Sequence, residues 1–470
     1  MPSHVIDSAF FRDHFGTARM RAVWDDRALL QCWLDYEAAL AKAEAAEGMI
    51  PTEAAIEIAR KARAPLFDLD ELKADIDRTV HPLVPVVWKL AALCEGEAGR
   101  YVHWGATTQD VMDTALVMQL RDAQAILDGA LAEVIDALVA LSTRFRATPM
   151  AGRTHGQQAL PITFGFKTAT WLAELLRHQA RLAEGRDRLF VGQFGGAVGT
   201  LAGITDGDRE TQALQVQARL MAELGLGVPV IAWHSSRDSF AAFTTTLCGV
   251  CATLGKIAHE IINLQMTELA EVEEGQEAGK VGSSTMPQKR NPMLCETILT
   301  LSRLTRSHAV TTMDAMLHDF ERDWSSFQME WEYLPELCLM TDAALSMTGR
   351  VLAGLTVRPD RMRRNLDVTG GLLLAERVMF ALAASLGRQD AHDLVHAVAR
   401  RAQEQDQPFS TLLRAEPAVA AVLSPDQIGK LLDPETYLGL AAHFVDRVVH
   451  QASEQRRNGL AKNTFVEGSG

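Results

Sequence analysis

The most constraining feature of this sequence is a set of long apolar stripes at helical spacing between about residues 110 and 349. One of them runs through Leu127, Leu131, Val134, Leu138 and Leu141, and Gly or Pro interrupts the region only at wide intervals. Apolar residues at this spacing predict amphipathic helices, and stripes of this length predict an elongated helical bundle. We expect its helices to begin near Asp110, Pro161, Asp238, Pro292 and Trp331.

The regions on either side predict shorter helices. Between Asp25 and Gly48, apolar residues recur at helical spacing, and Gly48 and Pro51 supply a stop. Beyond Pro359 the stripes shorten and Gly or Pro interrupts them repeatedly. Aromatic residues make up only 6% of the chain, which is typical of helical rather than sheet proteins. We predict an all-α protein with an N-terminal domain (1–109), a central long-helix domain (110–357) and a C-terminal domain (358–470).

Composition and charge limit the classes of partner. The formal charge of −14 disfavours nucleic acid and anionic membranes, because both would be repelled over most of the surface. No stretch reaches about 18 uninterrupted apolar residues, and the polar start lacks the apolar core of a signal peptide. We therefore expect a cytoplasmic protein with no membrane partner.

Six cysteines are scattered through Leu- and Ala-rich sequence, as buried reduced thiols are. The only CxxC pair, Cys248 and Cys251, has no second pair and no nearby histidine. We expect it to pack in the core rather than to bind metal.

The stretch GSSTMPQKRNP, Gly282 to Pro292, is the strongest candidate for chemistry. A hydroxyl acts as a base only if its alkoxide is stabilised, and we expect the flexibility of Gly282 to let backbone N–H groups converge beside Ser283. Lys289 adds positive charge nearby. The alternative is a plain Ser/Gly/Pro surface turn, although such turns seldom carry Met286, Lys289 and Asn291 before a helix start.

Two further polar segments stand out. GRTHGQQALPITFGFK places His155 in an expected loop just before a helix opened by Pro161, and a catalytic and a structural histidine are equally good readings of it. In HWGATTQDVMDTA, Thr107, Thr108 and Gln109 precede Asp110 at an expected helix N-terminus. Such a site binds carboxylates, and an ordinary helix cap is the alternative.

These three segments resemble the signature regions of the fumarase/aspartase superfamily, which includes adenylosuccinate lyase and carboxymuconate cycloisomerase, and they follow one another along the chain in the order that the family has. GSSTMPQKRNP matches the family pattern GSSxMPxKxNP at every fixed position. The resemblance covers almost the whole chain. It implies a homotetramer with a twenty-helix core, in which three chains build each active site.

The resemblance also implies site residues. Ser283 matches the base that removes a proton beside a substrate carboxylate, His155 the proposed general acid, and Glu296 the acidic partner of that histidine. The resulting dianionic aci-carboxylate needs hydrogen-bond donors, which we expect to include Lys289, and no metal or organic cofactor is implied. The residues expected to contact a small dicarboxylate substrate are Thr107, Thr108, Gln109, Thr154, Asn291, Ser284, Met286, His81, Arg19, Arg237 and Arg322.

The branch within the superfamily is mixed. WHSSRDSF and ERDWSSFQMEWEYLP, at Trp233–Phe240 and Glu321–Pro335, resemble cycloisomerases, whereas DRTVHPLVPVV around His81 resembles adenylosuccinate lyases. For His81, a loop position beside Pro82 without a role in the site is an equally good reading. Gln328 stands in the stretch where a nucleotide-specific lyase carries its phosphate-binding arginine.

We therefore expect a C–N lyase that releases fumarate from a small substituted succinate. Carboxymuconate cycloisomerase is the alternative, and adenylosuccinate lyase is less favoured. A non-catalytic protein on the same scaffold, as in lens crystallins, is disfavoured because every catalytic position is present.

Overall fold

The computed structural model describes residues 4–205, 209–275, 279 and 282–467, with side chains as far as residue 457. Helices make up most of the described residues and strands only a few of them, as predicted. Its N-terminal helices are α1 (Arg12–Phe15), α2 (Ala18–Val23), α3 (Asp26–Ala46), α4 (Thr52–Lys61), α5 (Leu69–Thr79) and α6 (Val84–Leu93).

Long helices dominate the middle of the chain. The helices between residues 108 and 354, most of them long, are α7 (Thr108–Arg144), α8 (Phe164–Leu189), α9 (Ala202–Thr205), α10 (Glu210–Leu224), α11 (Asp238–Gln265), α12 (Met293–Ala315) and α13 (Trp324–Gly354). The C-terminal helices are α14 (Pro359–Asn365), α15 (Ala375–Leu386), α16 (Arg388–Glu404), α17 (Phe409–Ala415), α18 (Pro417–Ala420), α19 (Pro425–Leu431) and α20 (Ala441–Glu467).

The helix starts follow recognisable signals. Asp25 caps α3 by accepting the N–H of Arg27 at 2.9 Å, and Gly48, at φ 71°, ends the turn after that helix. The predicted starts at Asp110, Asp238 and Pro292 lie within two residues of the observed ones. The predicted start at Trp331 was wrong, because α13 already begins at Trp324 behind the capping carboxylate of Asp323.

Among the described residues, four short strands form two antiparallel pairs. Strand β1 (Pro149–Thr154) pairs with β2 (Gln157–Thr163), and β3 (Val272–Glu273) pairs with β4 (Thr356–Val357). The first pair corrects a prediction. Pro161 opens no helix but lies in β2 opposite Ala151, and α8 starts three residues later at Phe164.

The described chain divides into two compact units. The first comprises Met1–Leu131, His178–Ala252 and Thr300–Ser346, and the second comprises Ala132–Arg177, Thr253–Leu299 and Met347–Gly470. Within the second unit, the short C-terminal helices bury one apolar cluster that includes Val378, Leu382, Phe409, Leu413 and Ile428. The division into three domains at residues 109 and 357 stays a prediction.

Among the described helices, α11 is long and apolar enough by composition to cross a membrane. Of its most apolar window, 67% is buried within the protein, as in the core helix of a helical bundle.

Candidate active site

The hydroxyl oxygen of Ser283 accepts hydrogen bonds from two backbone N–H groups. Its Oγ accepts hydrogen bonds from the N–H of Met286 at 3.1 Å and, more weakly, of Thr285 at 3.4 Å. Donors in this position stabilise negative charge on the oxygen. The loop therefore offers two backbone donors to a negative charge on this oxygen.

Gly282 has a different role from the one expected. Its φ is not among the positive values of the chain, but a Cβ at this position would lie 2.6 Å from the carbonyl oxygen of Lys289. The glycine is needed because the loop closes tightly on its own backbone rather than for an unusual φ.

A buried carboxylate closes the base of this loop. Glu274, which is 1% exposed, accepts hydrogen bonds from the backbone N–H groups of Leu294 at 3.1 Å and Cys295 at 2.9 Å, in the first turn of α12. Gln265 joins the same two chain segments, because it accepts the N–H of Glu274 and donates to the carbonyl of Arg290, each at 2.8 Å. These hydrogen bonds therefore fix the segment before the Ser283 loop to the segment after it.

The other predicted residues of this segment lie at the surface. Ser284, Met286 and Lys289 are exposed, and Asn291 is half-buried. Glu296 is exposed in the first turn of α12, as expected. Their side chains can therefore reach a bound molecule or a neighbouring subunit.

His155 lies at the tip of the β1–β2 hairpin. His155 and Gly156 have φ values of 53° and 76° and form the two-residue turn between the paired residues Thr154 and Gln157. A positive φ is uncommon for a residue other than glycine, and such positions cluster at functional sites. Both Thr154 and His155 are exposed, so the expected polar loop is instead a projecting hairpin tip.

The base of the hairpin is fixed by a buried carboxylate. Arg153 donates two hydrogen bonds to Glu271, at 2.9 and 2.7 Å, and Asn365 donates to the same carboxylate at 2.8 Å. Glu271 is fully buried, and its chain neighbours lead into the loop of Ser283. In the second unit, the contacts of Glu271 therefore restrain both the hairpin and the segment before that loop.

In the first unit, polar side chains converge at the N-terminus of α7, where the sequence predicts a carboxylate site. Arg322 donates to Thr107 Oγ1 at 2.8 Å, and Thr108 Oγ1 lies 3.4 Å from Nε2 of His81. The Nδ1 of His81 accepts the N–H of Val84 at 3.2 Å, which leaves Nε2 to carry the proton. Burial, and then the nearby His103, lower the pKa of His81, so the neutral imidazole is favoured.

Asp110, in the first turn of α7, organises this end of the helix. Its carboxylate accepts the N–H groups of Gly195 and Gly196 at 3.0 and 2.9 Å and that of Thr107 at 3.0 Å, and it lies 2.8 Å from Nε2 of His234. The sequence predicts Asp110 only as the start of a helix. Its role as the centre of this network depends on residues 85 and 124 positions away, which no local pattern announces.

Two residues predicted to contact substrate are buried in structural contacts. Gln109 is 2% exposed, and its Nε2 donates to the carbonyl of His234 at 2.8 Å. Arg237 is also 2% exposed; it forms a bidentate pair with Asp113, at 3.0 and 2.8 Å, and bonds to both carboxylate oxygens of Glu330. These positions support packing roles and give no support to substrate contact.

Arg19 is half exposed, in contrast to Arg237. Its Nη2 donates to the buried carboxylate of Asp342 at 2.7 Å, and 45% of its side chain is accessible.

A buried acidic cluster behind the α7 terminus was missed by sequence reasoning. His103 Nδ1 lies 2.6 Å from Glu37, and although burial lowers the pKa of His103, the Glu37 carboxylate outweighs it and raises that pKa. Glu44 is fully buried, and its carboxylate oxygens have no hydrogen-bond partner among the described residues. Burial, and then the charge of Glu37, raise the pKa of Glu44 to about 9, so this carboxyl is neutral at pH 7.

The two units carry different parts of the predicted site. The first contains Thr107, Thr108, His81 and Arg322, and the second contains the Ser283 loop, the His155 hairpin and Glu296. Within the part of the chain that the structure describes, no group of three His, Cys, Asp or Glu side chains is placed to hold a metal ion.

Comparison with known proteins shows that this helical chain is of the lyase class. A family model described as lyase matches residues 14–304, and one described as adenylosuccinate lyase C-terminus matches residues 371–448. The chain therefore belongs to the fumarase/aspartase superfamily, in the branch of adenylosuccinate lyase and carboxymuconate cycloisomerase. It is an enzyme of the lyase or cycloisomerase type.

Similar proteins span nearly the whole chain. An N-acetyl-S-(2-succino)cysteine lyase of Enterococcus italicus is 42% identical, over 96% of this chain and 97% of its own. A 3-carboxy-cis,cis-muconate cycloisomerase of Pseudomonas aeruginosa is 44% identical, over 95% and 97%. The crystal structure of the 3-carboxy-cis,cis-muconate lactonizing enzyme of Pseudomonas putida matches with a TM-score of 0.89 at 38% identity, covering 95% of this chain and 99% of that one.

Proposed function

We propose that this protein catalyses reversible β-elimination from a small substituted succinate, with C–N cleavage and release of fumarate. The observation that carries the proposal is the pair of backbone N–H groups on Ser283 Oγ, because they stabilise the alkoxide that a serine base must form. The Ser283 alkoxide takes the proton from the carbon beside a carboxylate, and the electron pair moves into that carboxylate as an aci-carboxylate.

The second half of the reaction returns these electrons to carbon. As the carbon–carbon double bond of fumarate forms, the bond to nitrogen breaks, and His155 gives a proton to the departing amine. Base and acid catalysis each contribute on the order of 100- to 10,000-fold. Thr107, Thr108, His81 and Arg322 support the proposal from the first unit, because hydroxyls and a cation at a helix N-terminus suit a carboxylate.

The activity test is a substrate panel for the purified protein. It contains N-substituted aspartates, argininosuccinate, adenylosuccinate, an S-(2-succino) thiol and carboxymuconate, with fumarate followed by absorbance and products by mass. The thioether is included because of the relative named for a succinylated cysteine. Fumarate and a free amine support the C–N lyase, whereas release of a thiol alone would move the proposal to C–S cleavage.

Carboxymuconate cycloisomerase is the second candidate. The 44% identical relative and the structure matched at a TM-score of 0.89 both carry that activity in their names. The same base and acid would move a proton while a carboxylate oxygen closes or opens a lactone on the neighbouring carbon. Consumption of carboxymuconate without fumarate, together with inert aspartates, would select this candidate.

We further infer that each active site is shared between chains of a homotetramer. His155 projects from a hairpin tip, and the described residues provide no side-chain hydrogen bond to it. Large apolar side chains are also exposed on and after α12, among them Val310, Leu317 and Phe320, which suits a surface covered by another subunit.

Mixing two impaired variants, with a substrate that has a strongly basic leaving group, tests this arrangement. If Ser283 and His155 of one site come from different chains, random reassembly of Ser283→Ala and His155→Asn subunits restores roughly a quarter of the sites. Restored activity in mixed tetramers supports shared sites. Mixed tetramers that stay inactive would show that one chain supplies both residues.

A further inference from the structure

Two half-exposed tryptophans form an aromatic surface at the start of α13. Trp324 is 42% exposed and Trp331 is 40% exposed, and their ring centroids lie 5.5 Å apart at 86°. The buried ring of Phe327 supports both, with centroids 5.9 Å from Trp324 and 5.4 Å from Trp331. Residues spaced by three, four and seven lie on one helix face, so the rings form one continuous apolar surface.

This aromatic surface borders the proposed carboxylate site of the first unit. The ring of Trp324 lies 6.4 Å from that of His81, at an interplanar angle of 31°. His81 contacts Thr108, and Arg322, two residues before Trp324, donates to Thr107. A succinyl group held at the α7 terminus would therefore carry its substituent near the tryptophans.

The charges around the aromatic surface disfavour a phosphorylated substituent. Hydrogen bonds from Ser326 and Ser325 lower the pKa of Asp323 to about 2, so this neighbour of Trp324 is ionised. Arg322, the adjacent cation, is engaged by Thr107 and by the carbonyl of Ala197 at 2.6 Å. A phosphate placed here would be repelled by the carboxylate of Asp323. It would be attracted only weakly by Arg322, because the donors of that guanidinium are already partly occupied.

We propose that Trp324 and Trp331 form the wall that recognises the leaving group, and that this group is apolar or aromatic rather than phosphorylated. The inference rests on the proposed function, because it concerns the substituent of the same succinate. Aromatic rings recognise apolar groups by burial and by stacking, neither of which needs a charge on the ligand.

Equilibrium binding tests the role of the aromatic surface in recognition independently of turnover. Calorimetric titration compares N-benzylaspartate, aspartate and adenylosuccinate on the wild-type protein and on Trp331→Ala, Trp331→Phe and Trp324→Phe. We expect N-benzylaspartate to bind at least tenfold more tightly than aspartate. Trp331→Ala should remove most of that tenfold while changing aspartate binding less than threefold, and Trp331→Phe should restore most of it.

Trp88→Ala is the matched control, because Trp88 is 55% exposed on α6. Three results would contradict the proposal. The first is an equal loss of affinity for N-benzylaspartate and aspartate in Trp331→Ala, and the second is tighter binding of adenylosuccinate than of N-benzylaspartate. The third is loss of assembly in Trp331→Ala with unchanged binding. Failure of the proposed function reads out separately, as normal binding of these ligands without release of fumarate from any aspartate.

Discussion

The carboxylate of Glu274 accepts the backbone N–H of Cys295 at 2.9 Å and so joins the chain entering the Ser283 loop to the helix leaving it. An acidic group at a helix N-terminus is stabilised by the exposed N–H groups and by the helix dipole. Glu274 is therefore a positioning residue for the proposed base.

Glu274→Ala should lower kcat by about 10- to 100-fold, because a displacement of about 1 Å at a reacting atom costs that much. Glu274→Gln, which keeps one acceptor oxygen, should recover part of the loss. Trypsin should cleave faster after the exposed Lys289 in the alanine variant. Glu268→Ala, at an exposed position before the loop, is the control. Normal kcat in Glu274→Ala would remove the assigned role.

Arg237→Met should destabilise the protein instead of selectively raising KM. The change leaves Asp113 and Glu330 buried without their cation, which costs about 3–5 kcal/mol. The denaturant midpoint measures this cost. Arg78→Gln, which breaks an exposed pair with Asp75, should shift stability by less than about 0.5 kcal/mol. A stable Arg237→Met protein with weakened substrate binding would show instead that Arg237 contacts the substrate.

Glu44→Gln should stabilise the protein, and increasingly so as pH rises. The folded-state pKa of Glu44 is raised from 4.5 to about 9, so its contribution is complete below pH 4.5 and is lost as pH rises towards 9. Glutamine never ionises, and its advantage should grow by at most about 1.4 kcal/mol per pH unit in that window. Unfolding midpoints at several pH values measure it, with exposed Glu53→Gln as the control. A constant difference would contradict a neutral Glu44.

His155→Asn should slow the reaction most for strongly basic leaving groups. An easily expelled group needs little protonation as it departs, whereas a basic amine depends on the acid. Turnover of a series of N-substituted aspartates, plotted against the basicity of the amine, measures the dependence. A uniform loss across the series would remove the acid role.

Local sequence signals were enough to predict the starts of several helices of this fold. The starts of α3, α11 and α12 follow caps, prolines and apolar stripes that the sequence displays directly. The β1–β2 hairpin was not predicted, because hydrogen bonds between two chain segments stabilise it and a local pattern does not display them. Its turn also carries an uncommon pair of residues, His155–Gly156. The early start of α13 was missed because the polar residues after Asp323 obscured its stripe, although that aspartate is itself a capping signal.

The residues of the candidate site also fall into two groups, those with a local sequence signal and those without one. Ser283, His155 and the threonines at the start of α7 could be proposed because each lies in a short segment with a recognisable pattern. The contacts of Asp110, Glu271 and Glu274 join residues far apart in the chain, so only the folded structure displays them. The burial of Arg237 between two distant carboxylates likewise leaves no local signature in the sequence.

The most direct test of the central claim is the turnover of Ser283→Ala on whichever panel substrate the wild-type protein converts. The substitution removes one oxygen from a loop and no core volume, so helical content and assembly should be unchanged. We expect kcat to fall roughly a thousandfold or more, because the proposed base is lost. Turnover within a few-fold of wild type would show that another group removes the proton.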